Sequence, residues 1–234
     1  DFLDYKGYRY RDIKIEGEYK DEQFAGDIVI QDENVVMNFN GKLDLNVENF
    51  RYDFIAHVEK INLRELNIYS DSLSLSGEFH ANFTGNSLSN IDGNILIQNL
   101  KIHRSNDSTF IDSLLLYTQI ENSQRVLAIE SGIADAKING DFDLKSLPSY
   151  FKSLTKTYIP SLKAEIDDFV QQEFDFELKL KDFEPLALIF APDIAIPQKV
   201  FVSGKFSSEN NIAILNGYIP EISYKKIKVT DVIF

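Results

Sequence analysis

The chain has 234 residues, a net charge of −13 and no cysteine. That length holds one large all-β domain or two ordinary ones, and disulfides and thiol catalysis are excluded, with the redox compartment left open. The charge argues against nucleic acid and against docking on anionic lipid head groups, but not against binding lipid tails, which depends on apolar area.

Apolar and polar residues alternate in long runs, the pattern of strands with one greasy and one wet face. The clearest run is Val35, Met37, Phe39, Gly41, Leu43, Leu45 and Val47. Its thirteen residues span roughly 43 Å at about 3.3 Å per residue. Strands are predicted near 8–19, 24–31, 34–47, 50–60, 73–84, 91–103, 110–121, 124–133 and 135–145. Turn residues separate them, as at Lys20-Asp21-Glu22, Asp32-Glu33-Asn34 and Ser105-Asn106-Asp107. Such short links favour an antiparallel meander. A longer link near Asn62–Asp71 is expected to be a short helix or an irregular crossover.

The period changes at Ser146. Leu147, Tyr150, Phe151, Leu154, Tyr158, Leu162, Ile166, Phe169 and Val170 have helical spacing. Ser146 suits an N-cap, Pro148 the first turn, and Pro160 a break before Ser161. Two amphipathic helical pieces are therefore expected between 147 and 172. They either pack on the sheet to complete a core or plug a groove and move for cargo. Alternation resumes at Phe174, a helical turn is expected around Pro185–Phe190, and strands follow near 199–207, 210–218 and 222–234. The expected domain is one elongated β unit over 1–234, with β sections at 1–145 and 173–234 around the helical insertion at 146–172. No apolar run is long enough to span a membrane as a helix. The abrupt opening DFLDYKGYRYRDIKIEGEY and the strand-like ending KKIKVTDVIF suggest a piece of a longer protein. Gly17, Gly26, Gly41, Gly77, Gly93, Gly140 and Gly204 fall in register with the apolar set. They either relieve crowding on a concave side or mark ordinary bends.

Three stretches carry a family resemblance: FAGDIVIQDENVVMNFNGKLDL (Phe24–Leu45), FRYDFIAHVEKINLRELNI (Phe50–Ile68) and SLSGEFHANFTGNSLSNIDGNILIQNL (Ser74–Leu100). A fourth, LAIESGIADAKINGDFDLKSLPSYF (Leu127–Phe151), is of the same kind. Together they resemble the TamB/AsmA-like proteins, in the style of Bacteroidota homologues. The resemblance covers most of 8–151 and rests on strands and Gly-Asn or Asp-Gly turns, with no catalytic signature. It implies a periplasmic segment of a long chain anchored in the inner membrane. It also implies a taco-like β-sheet with a hydrophobic groove, and a part in outer-membrane biogenesis through phospholipid movement or assembly of outer-membrane proteins. This chain departs from the full pattern by lacking the N-terminal anchor and by carrying the helical insertion.

Chemistry that would make an enzyme does not stand out. His57, His80 and His103 lack the short spacing of a dedicated metal site, and the first two are placed on the wet face. Acidic pairs such as Asp21/Glu22, Asp141/Asp143 and Asp167/Asp168 suit a solvated face. There is no phosphate loop or nucleophile elbow. No enzyme activity, cofactor or metal is expected.

The fold expected is all-β with a helical insertion, a long antiparallel meander curled into an open groove or half-barrel. Its lining set, as candidate contacts for a phospholipid or other acyl lipid, is Val35, Met37, Phe39, Leu43, Leu45, Phe54, Leu75, Phe79, Phe83, Ile95, Ile97, Leu116, Ile129, Ile138 and Phe142. The alternative is a protein-interaction scaffold, with sheet edges at 8–19 and 222–234 pairing with outer-membrane assembly proteins.

Overall fold

The computed structural model describes residues 2–44, 46, 50–86, 90–105, 107–121, 124–143, 171–190, 193–210, 212–225 and 227–234. The helices expected between 147 and 172 lie outside the described residues up to residue 170, Gln171 and Gln172 are not helical, and Leu45 also lies outside the described residues.

The chain opens with a small hairpin, β1 (Leu3–Tyr5) and β2 (Tyr8–Tyr10), joined at Lys6-Gly7. Both turn residues have positive φ, 49° and 77°, which is the two-residue turn whose twist matches paired strands. The strand predicted over 8–19 is therefore two elements. It breaks at Asp12, whose φ is 49°, and β3 (Ile13–Lys20) starts the main sheet.

From β3 the chain runs as a meander. The strands are β4 (Gln23–Gln31), β5 (Val35–Asp44), β6 (Arg51–Asn62), β7 (Leu73–Thr84) and β8 (Asp92–Arg104). Then come β9 (Asp107–Glu121), β10 (Gln124–Ser131), β11 (Ala134–Asp141) and β12 (Glu173–Leu180). After β12, the helix α1 (Glu184–Phe190) and the two-residue β13 (Ile194–Ala195) lead to β14 (Val200–Ser207), β15 (Ile212–Tyr224) and β16 (Ile227–Ile233). Every pairing is antiparallel, and the fourteen strands from β3 to β16 form one sheet. The sheet is open. Among the described residues, β3 pairs only with β4 and β16 only with β15.

Two strands expected at 210–218 and 222–234 resolve differently. β15 runs through to Tyr224 and the turn falls at Lys225, ahead of β16. Pro220 does not end the strand because it sits opposite Asp231 (φ 56°), at a position that the β15–β16 ladder skips. A proline is tolerated where no ladder N–H is needed.

Four adjacent strands share an irregularity. The register slips at Val36/Met37 between β5 and β6, at Val58/Ile61 between β6 and β7, and at Ser76/Glu78 between β7 and β8. Each slip adds one residue: Glu59 and Lys60 on β6 stand against Ser76 alone, and Asn99 and Leu100 on β8 against Gly77 alone, with Asn99 at φ 54°. Bulges bend a strand and raise its twist, so their alignment makes a crease across β5–β8.

Candidate functional site

Directly opposed residues of antiparallel strands point to the same face. Phe39 pairs with Ala56, Ala56 with Phe79, Phe79 with Ile97, and Ile97 with Leu114. One step along, Phe54 faces Ala81, then Ile95, Leu116, Ile129 and Ala136. A further row joins Leu43, Tyr52 and Phe83, and on the later strands Leu127, Ile138 and Phe176. Met37 pairs with Val58, and Val35 with Ile61, which pairs with Leu75 across the crease. The described members of the predicted set thus share one face, the inner face, with Phe142 just past the end of β11. Phe39 and Val35 are buried, whereas Phe54, Phe79, Ile95, Ile97, Leu116 and Ile129 are half-buried.

Aromatic rings track across this face. Phe24 lies 6.5 Å from Phe39 and Phe39 5.1 Å from Phe54, while Tyr52 stacks on Phe83 at 4.6 Å. At one end of the strands, Phe174 stacks on Phe206 at 5.1 Å and meets Phe142 edge-on. Arg125 lies over the Phe142 ring and donates to the Ile91 carbonyl at 2.7 Å. Burial lowers the affinity of that guanidinium for its proton, with Asp92 and Asp141 opposing the effect. Ile91, Leu127, Phe142, Phe174 and Phe206 make one buried cluster there.

The opposite end of the strands is covered. A second cluster joins Leu73, Leu100, Ile102, Ile111, Ile133 and Leu180. Phe183 and Leu186 pack on it, and α1 thereby reaches from beside β12 back over β9 and β8. The link 63–72 is a run of turns that folds Leu66 inward to 2 % exposure. That confirms an irregular crossover rather than a helix.

Glycines allow close approach where bare backbones meet. Gly17 pairs with Gly26 and Gly26 with Gly41. A Cβ on Gly41 would sit 2.4 Å from the Phe54 Cβ, and one on Gly17 would sit 2.4 Å from the Ala25 carbonyl oxygen. This row needs residues without a side chain.

A cavity of about 790 Å³ lies on the outer face, away from the apolar rows. Leu96, Leu115, Tyr117 and Ala128 line it together with Glu130, Asp135, Lys137, Glu177, Lys179 and Lys181. Lys181 pairs with Asp135 at 2.5 Å and Lys137 with Glu121 at 2.7 Å. The Lys181 bond holds the Asp135 carboxyl below its ordinary pKa. Such interleaved, mutually paired charges fit a solvated surface. His57 and His80 also lie in outer-face rows, opposite Glu78 and Ile55. Among the described residues, no group of three or more His, Cys, Asp or Glu could hold a metal ion, and no helix is long and apolar enough to cross a membrane.

The sequence reading missed one polar centre. Asp32 is 3 % exposed, in the turn between β4 and β5. Its carboxylate accepts from the Tyr8 hydroxyl, and from the backbone N–H groups of Arg11 and Asn34 at 2.9 Å apiece. Asn34 donates to the Tyr8 oxygen at 3.2 Å and accepts from Asn62 at 2.8 Å. This latch fastens the β1–β2 hairpin to the sheet, with a second tie from Asn67 to the Lys6 carbonyl at 3.1 Å. A buried acid in a loop left no signal in a sequence already rich in acidic turns.

No known family model, curated protein or solved structure matches this chain. The inner face must be understood from its own residues.

Proposed function

We propose that this chain is a lipid-binding segment of a TamB/AsmA-like envelope protein, working in the periplasm and holding acyl chains along the apolar inner face of its open sheet. One observation carries the reading: aliphatic and aromatic side chains follow one another from strand to strand on that face, and the middle rows remain half-buried. Acyl chains need no directional partner. Each buried CH₂ contributes about 0.8 kcal/mol through area alone. A surface without a polar recognition group suits that cargo. The covered end of the strands, under α1 and Leu66, gives the tails a wall to lie against, and the outer face carries interleaved acidic and basic side chains. The resemblance of Phe24–Leu45, Phe50–Ile68, Ser74–Leu100 and Leu127–Phe151 to TamB/AsmA-like segments supports the same reading and is the ground for the cellular location.

The test is native mass spectrometry with lipid extraction on the chain purified from a bacterial host. Phospholipid or fatty acid is expected near one or more equivalents per chain. Phe39→Glu and Phe79→Glu each place a carboxylate in the row that runs from β5 to β9, and both are expected to come away without lipid. Lipid retained in both variants, or a lipid-free parent, rejects the reading.

A further inference from the structure

A cation stands where apolar rows of the inner face run out. Arg125 lies directly opposite Ile120 in the β9–β10 ladder and two residues before Leu127, so it belongs to an inner row. It is at the end of the strands away from α1 and Leu66. Ile120 beside it is 72 % exposed. The half-buried guanidinium donates to the Ile91 carbonyl at 2.7 Å, and its carbon lies 4.7 Å from the centre of the Phe142 ring. A guanidinium offers five N–H donors in a flat fork, a shape that matches two oxygens of a phosphate.

Two acids, Asp92 and Asp141, act on this guanidinium. Asp92 accepts from the Thr118 hydroxyl at 3.0 Å, and Asp141 is exposed at the end of β11. A depression of about 520 Å³ opens at this end, with Arg125, Gln124, Asn139, Asp141 and Glu173 in its lining. Asn139 and Asp141 alternate with Ile138 and Gly140 of the inner rows, and Glu173 is the partner of Asp141. The depression therefore lies at the rim, where the inner face meets water. Asn139 Oδ1 is buried there and has no hydrogen-bond partner. A buried acceptor left unmatched is costly and calls for a donor.

We propose that the lipid on the inner face is a phospholipid whose head group carries a primary ammonium, with its phosphate on Arg125 and its ammonium beside Asp141. This rests on the lipid reading above and adds the class of head group to it. The tails point to the covered end, which Leu73, Ile102, Ile111 and Leu180 pack and where Arg104 is already held by Asp71 at 2.5 Å. The head then emerges at the rim. An anionic head group without an amine would bring its phosphate to Arg125 and leave two carboxylates facing it, and like charges repel. A trimethylammonium is charged but has no N–H to give a carboxylate, so it forgoes the charge-assisted hydrogen bond. A primary ammonium has three donors. It meets Asp141 and brings donors to the rim where Asn139 Oδ1 lacks one.

A competition among head groups tests it. The purified chain is incubated with vesicles holding equal parts of phosphatidylethanolamine, phosphatidylcholine and phosphatidylglycerol with identical acyl chains. Native mass spectrometry then identifies the bound lipid. The ethanolamine lipid is expected to be enriched about tenfold over each of the others, the effect of one charge-assisted hydrogen bond. Arg125→Gln is expected to bring the ethanolamine-to-choline ratio close to one, while Arg125→Lys keeps part of the preference. Asp141→Asn, at an exposed position, is expected to raise the glycerol lipid about tenfold relative to the ethanolamine lipid. The readout is a ratio among bound lipids, so a variant that binds less in total still reports. Equal or reversed preference on the parent chain overturns the inference, as does a preference that survives both Arg125→Gln and Asp141→Asn. Each of those results leaves the lipid reading standing. A parent chain that takes up no lipid of any class rejects the lipid reading, and this inference with it.

Discussion

Asp32 is the residue on which the N-terminal hairpin hangs. Burial pushes its pKa up, but the hydrogen bonds from Tyr8, Asn34 and Arg11 outweigh burial and hold the carboxyl below the ordinary carboxylate value. A depressed acid contributes stability that is complete above its unfolded pKa of about 3.9 and lost as pH falls through the lower folded value. The hairpin is therefore expected to hold steady from about pH 9 down to about pH 5 and to loosen on further acidification. Asp32→Asn leaves donors facing donors. It should cost about 1.5–3 kcal/mol, the worth of a hydrogen bond to a charged group. Hydrogen exchange of the amides in 3–10 reads both effects, about tenfold or more faster in the variant and unchanged in β9–β11. Nothing in the local sequence distinguishes Asp32 from Glu33 beside it. The difference lies in Tyr8, which is 24 residues away and arrives only through the fold. By contrast Phe39, Phe79 and Ile97 were legible because strand parity alone decides which face they take.

At the scale of elements, alternation and turn residues located the strands of the meander, including the helical turn at α1. The breaks it misplaced share one cause. Asp12 and Pro220 act through backbone geometry that depends on the paired strands: a positive φ between the hairpin and β3 in one case, a skipped ladder position in the other. The cover over the β7–β9 end was not legible either, since α1 and Leu66 reach residues distant in sequence. Leu66 anchors that cover, with its side chain among the most buried in the molecule. Leu66→Ala is expected to lower stability by about 2–5 kcal/mol, through lost transfer energy and the cavity left behind. Denaturant titration followed by far-UV circular dichroism measures it. A loss below about 0.5 kcal/mol, typical of an exposed site, would remove the link from the core.

Across the whole molecule, each strand of the meander leans on its immediate neighbours, and no pair of strands closes the ends. Stability then depends largely on neighbour contacts, as in repeat proteins. The two buried clusters draw on β7 to β14, and neither draws on β3 or β16. Protection against hydrogen exchange is expected to peak in β8–β12 and to decline stepwise toward both edges, with the β3 and β16 amides exchanging first. Uniform protection from β3 to β16 would instead mean a single cooperative unit. The overall architecture could be anticipated because one alternating pattern recurs through the chain; its crease could not, since a register slip is a property of two strands together.

That crease has a mechanical consequence. A regular antiparallel ladder behaves as a stiff plate, because bending it across the strands strains each hydrogen-bond pair it crosses. Along the line Glu59, Gly77 and Asn99 the regular pairing is already interrupted, so β5–β8 can flex there with little further loss. From β9 to β14 the register runs without a slip. The sheet is therefore compliant on one side and rigid on the other, like a book whose spine is scored for only part of its height. The opening of the sheet can widen near β5–β8, while the β9–β14 wall keeps its width.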